Sequence, residues 1–181
     1  MNRLSRSDRL QTQRKSKCLS VFINSSWPDR HLLAMRPDGR GDVTETHVAW
    51  WDAKGAPYVP SLLVAGEYLL TVNNGGVAFC YEAGTGKVLW QERLGRRHAS
   101  PVLLAGLVFF TNDDGAVNVI RPGATFDRIA KYELGEPCCA SPVISEGQVF
   151  VRGFEYLHCF GKPGSTVGTA RADGVERRDH Q

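Results

Sequence analysis

Short apolar runs recur along the chain at a nearly constant interval, and residues that favour turns separate them. Ser61–Gly66, Pro101–Gly106 and Pro142–Gly147 are three copies of one such pattern, and their final glycines lie 40 and 41 residues apart. A period of roughly 40–45 residues built from short strands is typical of a β-propeller blade. The sequence therefore predicts an all-β fold, a partial β-propeller of about three to four blades with four antiparallel strands each.

The stretch 59–94 is the clearest full repeat. Its predicted strands are Leu62–Val64, Tyr68–Val72, Val77–Tyr81 and Val88–Glu92. A tight turn is predicted at 73–76, because Asn and Gly tolerate the positive φ of hairpin turns. Residues 99–134 repeat this pattern, and residues 31–51 match part of a blade. Residues 140–162 supply only three strands, so the outermost strand of this last blade is expected to come from elsewhere. No segment predicts a helix.

The two ends of the chain lack this periodicity. We predict a basic, disordered N-terminal tail over 1–30, propeller blades over 31–162 and a disordered C-terminal tail over 163–181. Six of the first 17 residues are basic and one is acidic, whereas the formal net charge of the whole chain is only +3. The repeats are therefore not basic, which argues against a nucleic-acid partner.

Targeting and disulfide signals are weak. The apolar run Cys18–Ile23 is shorter than the hydrophobic region of a signal peptide, and no stretch is long enough for a transmembrane helix. The localisation is therefore left open.

The five cysteines are odd in number and form no C-x-x-C pair, so neither a disulfide framework nor a zinc site is indicated.

One segment resembles a known motif. Cys80–Trp90 is similar to the tryptophan-docking motif of bacterial pyrroloquinoline-quinone-like (quinoprotein-like) propellers, Ala-x-Asp-x-x-x-Gly-x-x-x-Trp. In that family the Gly makes the turn between the third and fourth strands, and the Trp packs between neighbouring blades. The resemblance implies a structural blade-docking motif, with Cys and Glu in place of its Ala and Asp. The motif residues are Glu82, Thr85, Gly86 and Trp90.

The resemblance covers residues 31–162 and extends to the propeller lipoprotein of the outer-membrane β-barrel assembly machinery. Members of this class are longer and are usually extracytoplasmic, so we expect this chain to be a C-terminal fragment of a longer propeller. Ala130 stands where the next copy of the motif would have its Trp. An incomplete arc leaves open blade edges, which predicts self-association.

The function expected from this fold is a non-catalytic scaffold that binds a protein or peptide partner, since no catalytic or metal-ligating constellation stands out. Two alternatives stay open: a fragment of a quinone-dependent dehydrogenase, and a truncated product without independent function. Cys138-Cys139 motivates the first, because quinone-dependent alcohol dehydrogenases have adjacent cysteines packed on the cofactor. We expect no cofactor, with pyrroloquinoline quinone and calcium as the alternative. The histidines His47, His98 and His158 show no ligand spacing.

Overall fold

The short apolar runs pair into antiparallel sheets that follow one another along the chain. The computed structural model describes residues 20–25, 29–161 and 170–171. Four sheets are present in this part of the chain, and we call them blades 1 to 4 in chain order. Each is a meander in which consecutive strands are neighbours. Short turns make the described connections within blades 2 and 3, whereas a longer segment with one helical turn joins β2 to β3 in blade 1. The predicted all-β partial propeller is confirmed.

The strands of each blade are as follows. Blade 1 has β1 (Val21–Ser25), β2 (His31–Met35) and β3 (Val48–Asp52), and blade 2 has β4 (Leu63–Ala65), β5 (Tyr68–Val72), β6 (Val77–Glu82) and β7 (Val88–Arg93). Blade 3 has β8 (Val102–Leu104), β9 (Leu107–Thr111), β10 (Ala116–Arg121) and β11 (Asp127–Glu133). Blade 4 has β12 (Val143–Ser145), β13 (Gln148–Arg152), β14 (Tyr156–Phe160) and β15 (Ala170–Arg171).

The structure differs from the sequence prediction at both ends. Strand β1 lies inside the segment predicted to be a disordered tail, where Val21 pairs with Met35 and Ser25 with His31. Strand β15 pairs with β14, so the outermost strand of blade 4 comes from the predicted C-terminal tail. Strand β15 has only two residues and so shows no period. Strand β1 overlaps the apolar run Cys18–Ile23, but the blade repeat does not extend to it, and pairing with a neighbouring strand stabilises it. The rest of the two predicted tails lies outside the described residues.

A single helical turn, which the sequence did not predict, precedes β3. Helix α1 (Thr44–His47) forms where the N–H groups of Thr46 and His47 donate to the carbonyl of Val43. The Asp42 carboxylate accepts the Thr44 N–H at 3.0 Å. A local side-chain acceptor of this kind satisfies a donor that a short helix leaves free, and it requires no apolar periodicity.

The hydrophobic core lies between neighbouring blades. One buried cluster joins Leu32 of blade 1 to Tyr81 of blade 2, and a larger one joins Leu70 of blade 2 to Phe110 of blade 3. A third cluster joins blades 3 and 4. Because each sheet covers the face of the next, the buried apolar area that stabilises one blade depends on its neighbour.

Candidate functional site: the loop face and the blade junctions

The predicted docking motif lies in the turn between β6 and β7. Gly86 has φ +73° and its N–H donates to the Glu82 carbonyl, while the Thr85 hydroxyl donates to the Glu82 carboxylate at 2.5 Å. A Cβ on Gly86 would lie 2.5 Å from the ring of Trp50. Trp50 belongs to the preceding blade, so the Gly of one blade receives the Trp of the blade before it. The sequence motif, which contains Trp90, did not reveal this pairing.

Trp90 makes the equivalent contact with the blade that follows. It is 9% exposed, its indole N–H donates to the Gly123 carbonyl at 3.0 Å, and its ring meets Phe126 edge-on. Trp50 likewise donates to the Ala83 carbonyl at 2.9 Å. Both tryptophans therefore connect an outer strand to the turn of the next blade.

The third blade lacks this connection. The same position of the outer strand is occupied by Trp50 in blade 1, Trp90 in blade 2 and Ala130 in blade 3. In each blade this residue lies directly beside a shift in the register between the outer strand and its neighbour. Where an indole would lie between blades 3 and 4, the structure has an apolar cleft of about 480 Å³ whose lining includes Ala130 and Val149. This junction is therefore less completely packed than the two that precede it.

The connections between blades and the turns between second and third strands lie at one end of the arc, since successive strands run in opposite directions. We call this end the loop face. It comprises the connections 53–62, 94–101 and 134–142 and the turns 73–76, 112–115 and 153–155. In the turns of blades 2 and 3, the side-chain oxygens of Asn73 and Asn112 accept the N–H groups of Val77 and Ala116.

Hydrogen bonds between blades hold the backbone of the loop face. The Ser61 N–H donates to the Ser100 hydroxyl oxygen at 2.9 Å, and the Ser100 N–H donates to that of Ser141 at 2.8 Å. Ser100 and Ser141 thus each accept a donor from the connection that precedes their own. The Asp113 N–H donates to the Arg96 carbonyl at 2.9 Å. The loop face is thus a connected surface rather than a set of independent loops.

Aromatic side chains project from this face. Tyr58 is 59% exposed and Phe154 is 64% exposed. The Phe154 N–H donates to the Pro137 carbonyl, which fixes its backbone. Large apolar side chains that are exposed to solvent on an ordered backbone favour contact with another molecule.

A depression of about 230 Å³ lies beside Tyr58, and Arg97, His98 and Asp113 contribute to its lining. Arg97 is buried, with its guanidinium 5.0 Å from the ring centre of Phe110. Burial lowers the pKa of Arg97 to about 10, against the attraction of Asp113. Arg97 therefore keeps its charge at neutral pH. Among the described residues, its Nη1 has no hydrogen-bond partner.

Three potential metal ligands meet next to this depression. One ligand atom from each of His98, Asp113 and Cys139 lies within 4.8 Å of the other two. The sequence shows no ligand spacing for these residues, because they come from two connections and one turn. Only the blade topology brings them together.

The other histidine–carboxylate pair at this end has a structural role. His158 Nε2 lies 2.7 Å from the Glu136 carboxylate, which also accepts the N–H groups of Glu155 and Tyr156. Burial opposes the charge of Glu136, but these hydrogen bonds outweigh it and lower the pKa of the carboxyl. Glu136 thereby joins the connection before blade 4 to the strand that contains His158.

The adjacent cysteines are in different environments. Cys138 is buried, with Sγ 3.2 Å from the Arg152 carbonyl oxygen, whereas Cys139 is exposed. Burial raises the pKa of the Cys138 thiol. Both thiols are free.

These residues do not fit pyrroloquinoline quinone with calcium. Calcium takes about six to eight oxygen ligands, and the ligand cluster in the described ranges 20–25, 29–161 and 170–171 supplies one carboxylate. The expected absence of a cofactor stays a prediction.

Within the residues that the structure describes, no helix is long and apolar enough to span a membrane.

Comparison with known families agrees with the architecture. The family model described as outer membrane protein assembly factor BamB matches residues 42–125, which include the docking motif. No curated protein sequence matches this chain.

Solved structures superimpose on parts of this chain at low sequence identity. BamB from Moraxella catarrhalis superimposes with a TM-score of 0.66 at 18% identity, over 83% of this chain and 44% of that one. A europium-containing methanol dehydrogenase gives a TM-score of 0.48 at 16% identity, over 62% of this chain and 22% of the other. A quinohemoprotein alcohol dehydrogenase from Pseudomonas putida HK5 gives 0.45 at 15% identity, over 56% and 18%. The chain thus spans less than half the length of each of these structures.

Proposed function

We propose that this chain, a PQQ-like β-propeller repeat protein, is a non-catalytic scaffold that binds a protein or peptide partner through its loop face. The observation that carries the proposal is the pair of exposed aromatic side chains, Tyr58 and Phe154, on a backbone held by hydrogen bonds between blades. Aromatic residues are enriched in the centres of protein interfaces. The protein with the similar fold is described as an assembly factor, which supports a partner that is itself a protein.

The rigidity of the face favours binding. A partner that contacts an ordered backbone does not have to order it, so less of the interaction free energy is lost on association. The hydrogen bonds that Ser100 and Ser141 accept, together with that of the Asp113 N–H, supply this order before any partner arrives. Tyr58 and Phe154 then provide apolar area at little entropic cost, since each has only two side-chain torsions.

Charged groups around the aromatic side chains add selectivity. Arg96 and His98 lie beside Asp113 at the depression next to Tyr58. Charges at the rim of an interface steer association and exclude wrong partners more than they raise affinity. We therefore expect salt to slow binding more than it weakens the final complex.

The test is peptide selection followed by measurement of affinity. Peptides selected on the immobilised chain from a displayed library would be titrated calorimetrically against the wild type and against a Tyr58→Ser/Phe154→Ser double variant. If these residues are anchors, the double variant should bind at least about tenfold more weakly, since loss of a central anchor costs about 2 kcal/mol or more.

The matched control is Val88→Ser. Val88 is also exposed, at 43%, but it begins β7 at the opposite end of the arc. Its substitution should leave the affinity unchanged, and circular dichroism should show that both variants are folded. Equal loss of affinity in the control and in the double variant, or full affinity in the double variant, would contradict the loop face as the binding surface.

A further inference from the structure

We propose that His98, Asp113 and Cys139 form a binding site for a divalent transition-metal ion of the Zn²⁺ class on the loop face. One ligand atom from each residue lies within 4.8 Å of the others. Imidazole nitrogen, thiolate sulfur and carboxylate oxygen are the donors that proteins use for zinc. The site is separate from the aromatic anchors proposed above, and its existence does not depend on them.

The three ligands come from segments that the backbone already fixes together. Asp113 lies in the turn between β9 and β10, where its N–H donates to the Arg96 carbonyl and its own carbonyl accepts the Cys138 N–H at 3.0 Å. Asp113 is thus bonded to a residue two positions before His98 and to the residue directly before Cys139. Bringing the ligands together therefore requires no rearrangement of the fold, and the ordering cost of metal binding is small.

Two of the ligands are already close to the separation that a shared ion needs. His98 Nδ1 lies 3.1 Å from Asp113 Oδ2, the distance of a hydrogen bond, and bonds of about 2.0–2.2 Å in tetrahedral geometry place such ligand atoms roughly 3.3–3.6 Å apart. The other carboxylate oxygen of Asp113 accepts the His98 N–H at 2.9 Å. That hydrogen bond orients the carboxylate, as outer-shell bonds commonly do in metal sites.

Cys139 completes the set by a small side-chain movement. Cys139 and His98 are both exposed, so rotation of either side chain meets little packing resistance. When the ion binds, the thiol proton passes to solvent and sulfur bonds to the metal as thiolate. Three protein ligands leave the fourth tetrahedral position for water or for a side chain of a partner.

The charges and donor types select the class of ion. A thiolate and a carboxylate balance a divalent ion, with the imidazole neutral. Sulfur and nitrogen donors favour Zn²⁺ and its neighbours over Ca²⁺ and Mg²⁺, which take oxygen ligands. Arg97, which attracts Asp113 electrostatically, competes with the ion for that carboxylate and limits the affinity.

The experiment is a titration of the full chain with Co²⁺, whose bonds to thiolate sulfur give a near-ultraviolet charge-transfer band, followed by displacement with Zn²⁺. We expect one equivalent of Co²⁺ to produce the band and Zn²⁺ to abolish it. Cys139→Ser should remove the band. His98→Gln and Asp113→Asn should each weaken binding at least about tenfold, because even the loss of an outer-shell partner of a metal site typically costs about 10–100-fold in affinity.

Two substitutions serve as matched controls. Asp114→Asn changes the exposed carboxylate next to Asp113, and Cys18→Ser removes another thiol of the chain. Both should bind Co²⁺ like the wild type. Absence of the band in the wild type, its survival in Cys139→Ser, or its loss in Cys18→Ser would overturn the proposal.

A further outcome distinguishes metal binding from a different use of the same residues. If Co²⁺ does not bind and iodoacetamide alkylates Cys139 faster in the wild type than in His98→Gln, then the imidazole activates the thiol as a nucleophile. That result would also overturn the metal site.

Discussion

Replacing Trp90 with Ala should destabilise the protein strongly, because this side chain joins blade 2 to blade 3. Trp90 is 9% exposed and packs within the buried cluster that joins blades 2 and 3, together with Leu70 and Val108. Its indole N–H donates to the Gly123 carbonyl and its ring meets Phe126 edge-on, with centroids 5.2 Å apart. Truncation would remove the apolar contact, the hydrogen bond and the aromatic contact together.

The expected loss is about 3–5 kcal/mol of unfolding free energy, the range for buried Trp→Ala substitutions. The hydrogen bond accounts for about 1 kcal/mol of this. Trp90→Phe keeps most of the ring but loses the donor, so it should cost about 1–2 kcal/mol. The two substitutions together separate the packing contribution from the polar one.

The assay is urea unfolding followed by far-ultraviolet circular dichroism, which does not depend on the substituted fluorophore. With an m-value of about 2 kcal/mol per M, Trp90→Ala should lower the midpoint by about 2 M. Trp51→Ala is the control, since Trp51 is 63% exposed and its loss should cost within about 0.5 kcal/mol. Equal shifts for Trp90→Ala and Trp51→Ala would refute the assignment of Trp90 as the residue that joins the blades.

Two further predictions concern the fourth blade. Ala130→Trp should raise the unfolding midpoint, because the indole would fill the apolar cleft between blades 3 and 4; a lower midpoint would show that the cleft cannot accept it. Glu136→Gln should flatten the pH dependence of stability in acid, as measured by urea midpoints from pH 6 to about pH 3. Hydrogen bonds hold the pKa of Glu136 below its usual 4.5 despite burial. The ionised Glu136 carboxylate therefore stabilises the fold fully at pH values above 4.5, and this stabilisation is lost as the pH falls through the folded-state pKa. Parallel profiles for variant and wild type would contradict this reasoning.

The sequence alone determined the repeating unit. Short apolar runs and the Asn and Gly residues of the turns between them are local properties, and they defined every strand of blade 2 to within a residue or two. The period of the repeat identified the propeller architecture, and the register position of Ala130 followed from the spacing of its copy. Strand β1 was missed although its residues favour a strand, because the blade repeat does not extend to it, and β15 was missed because two residues form no pattern.

Contacts between blades were decided only by the tertiary structure. The motif drew attention to Gly86 and Trp90 in one blade, yet the ring against Gly86 is that of Trp50, one blade earlier. His98, Asp113 and Cys139 share no local pattern and meet because two connections and a turn converge at one end of the arc. Strand pairing follows from residues close in sequence, whereas the stacking of one sheet on the next depends on how all the side chains between them pack. That packing, which no local pattern encodes, places the loop face and its candidate ligands.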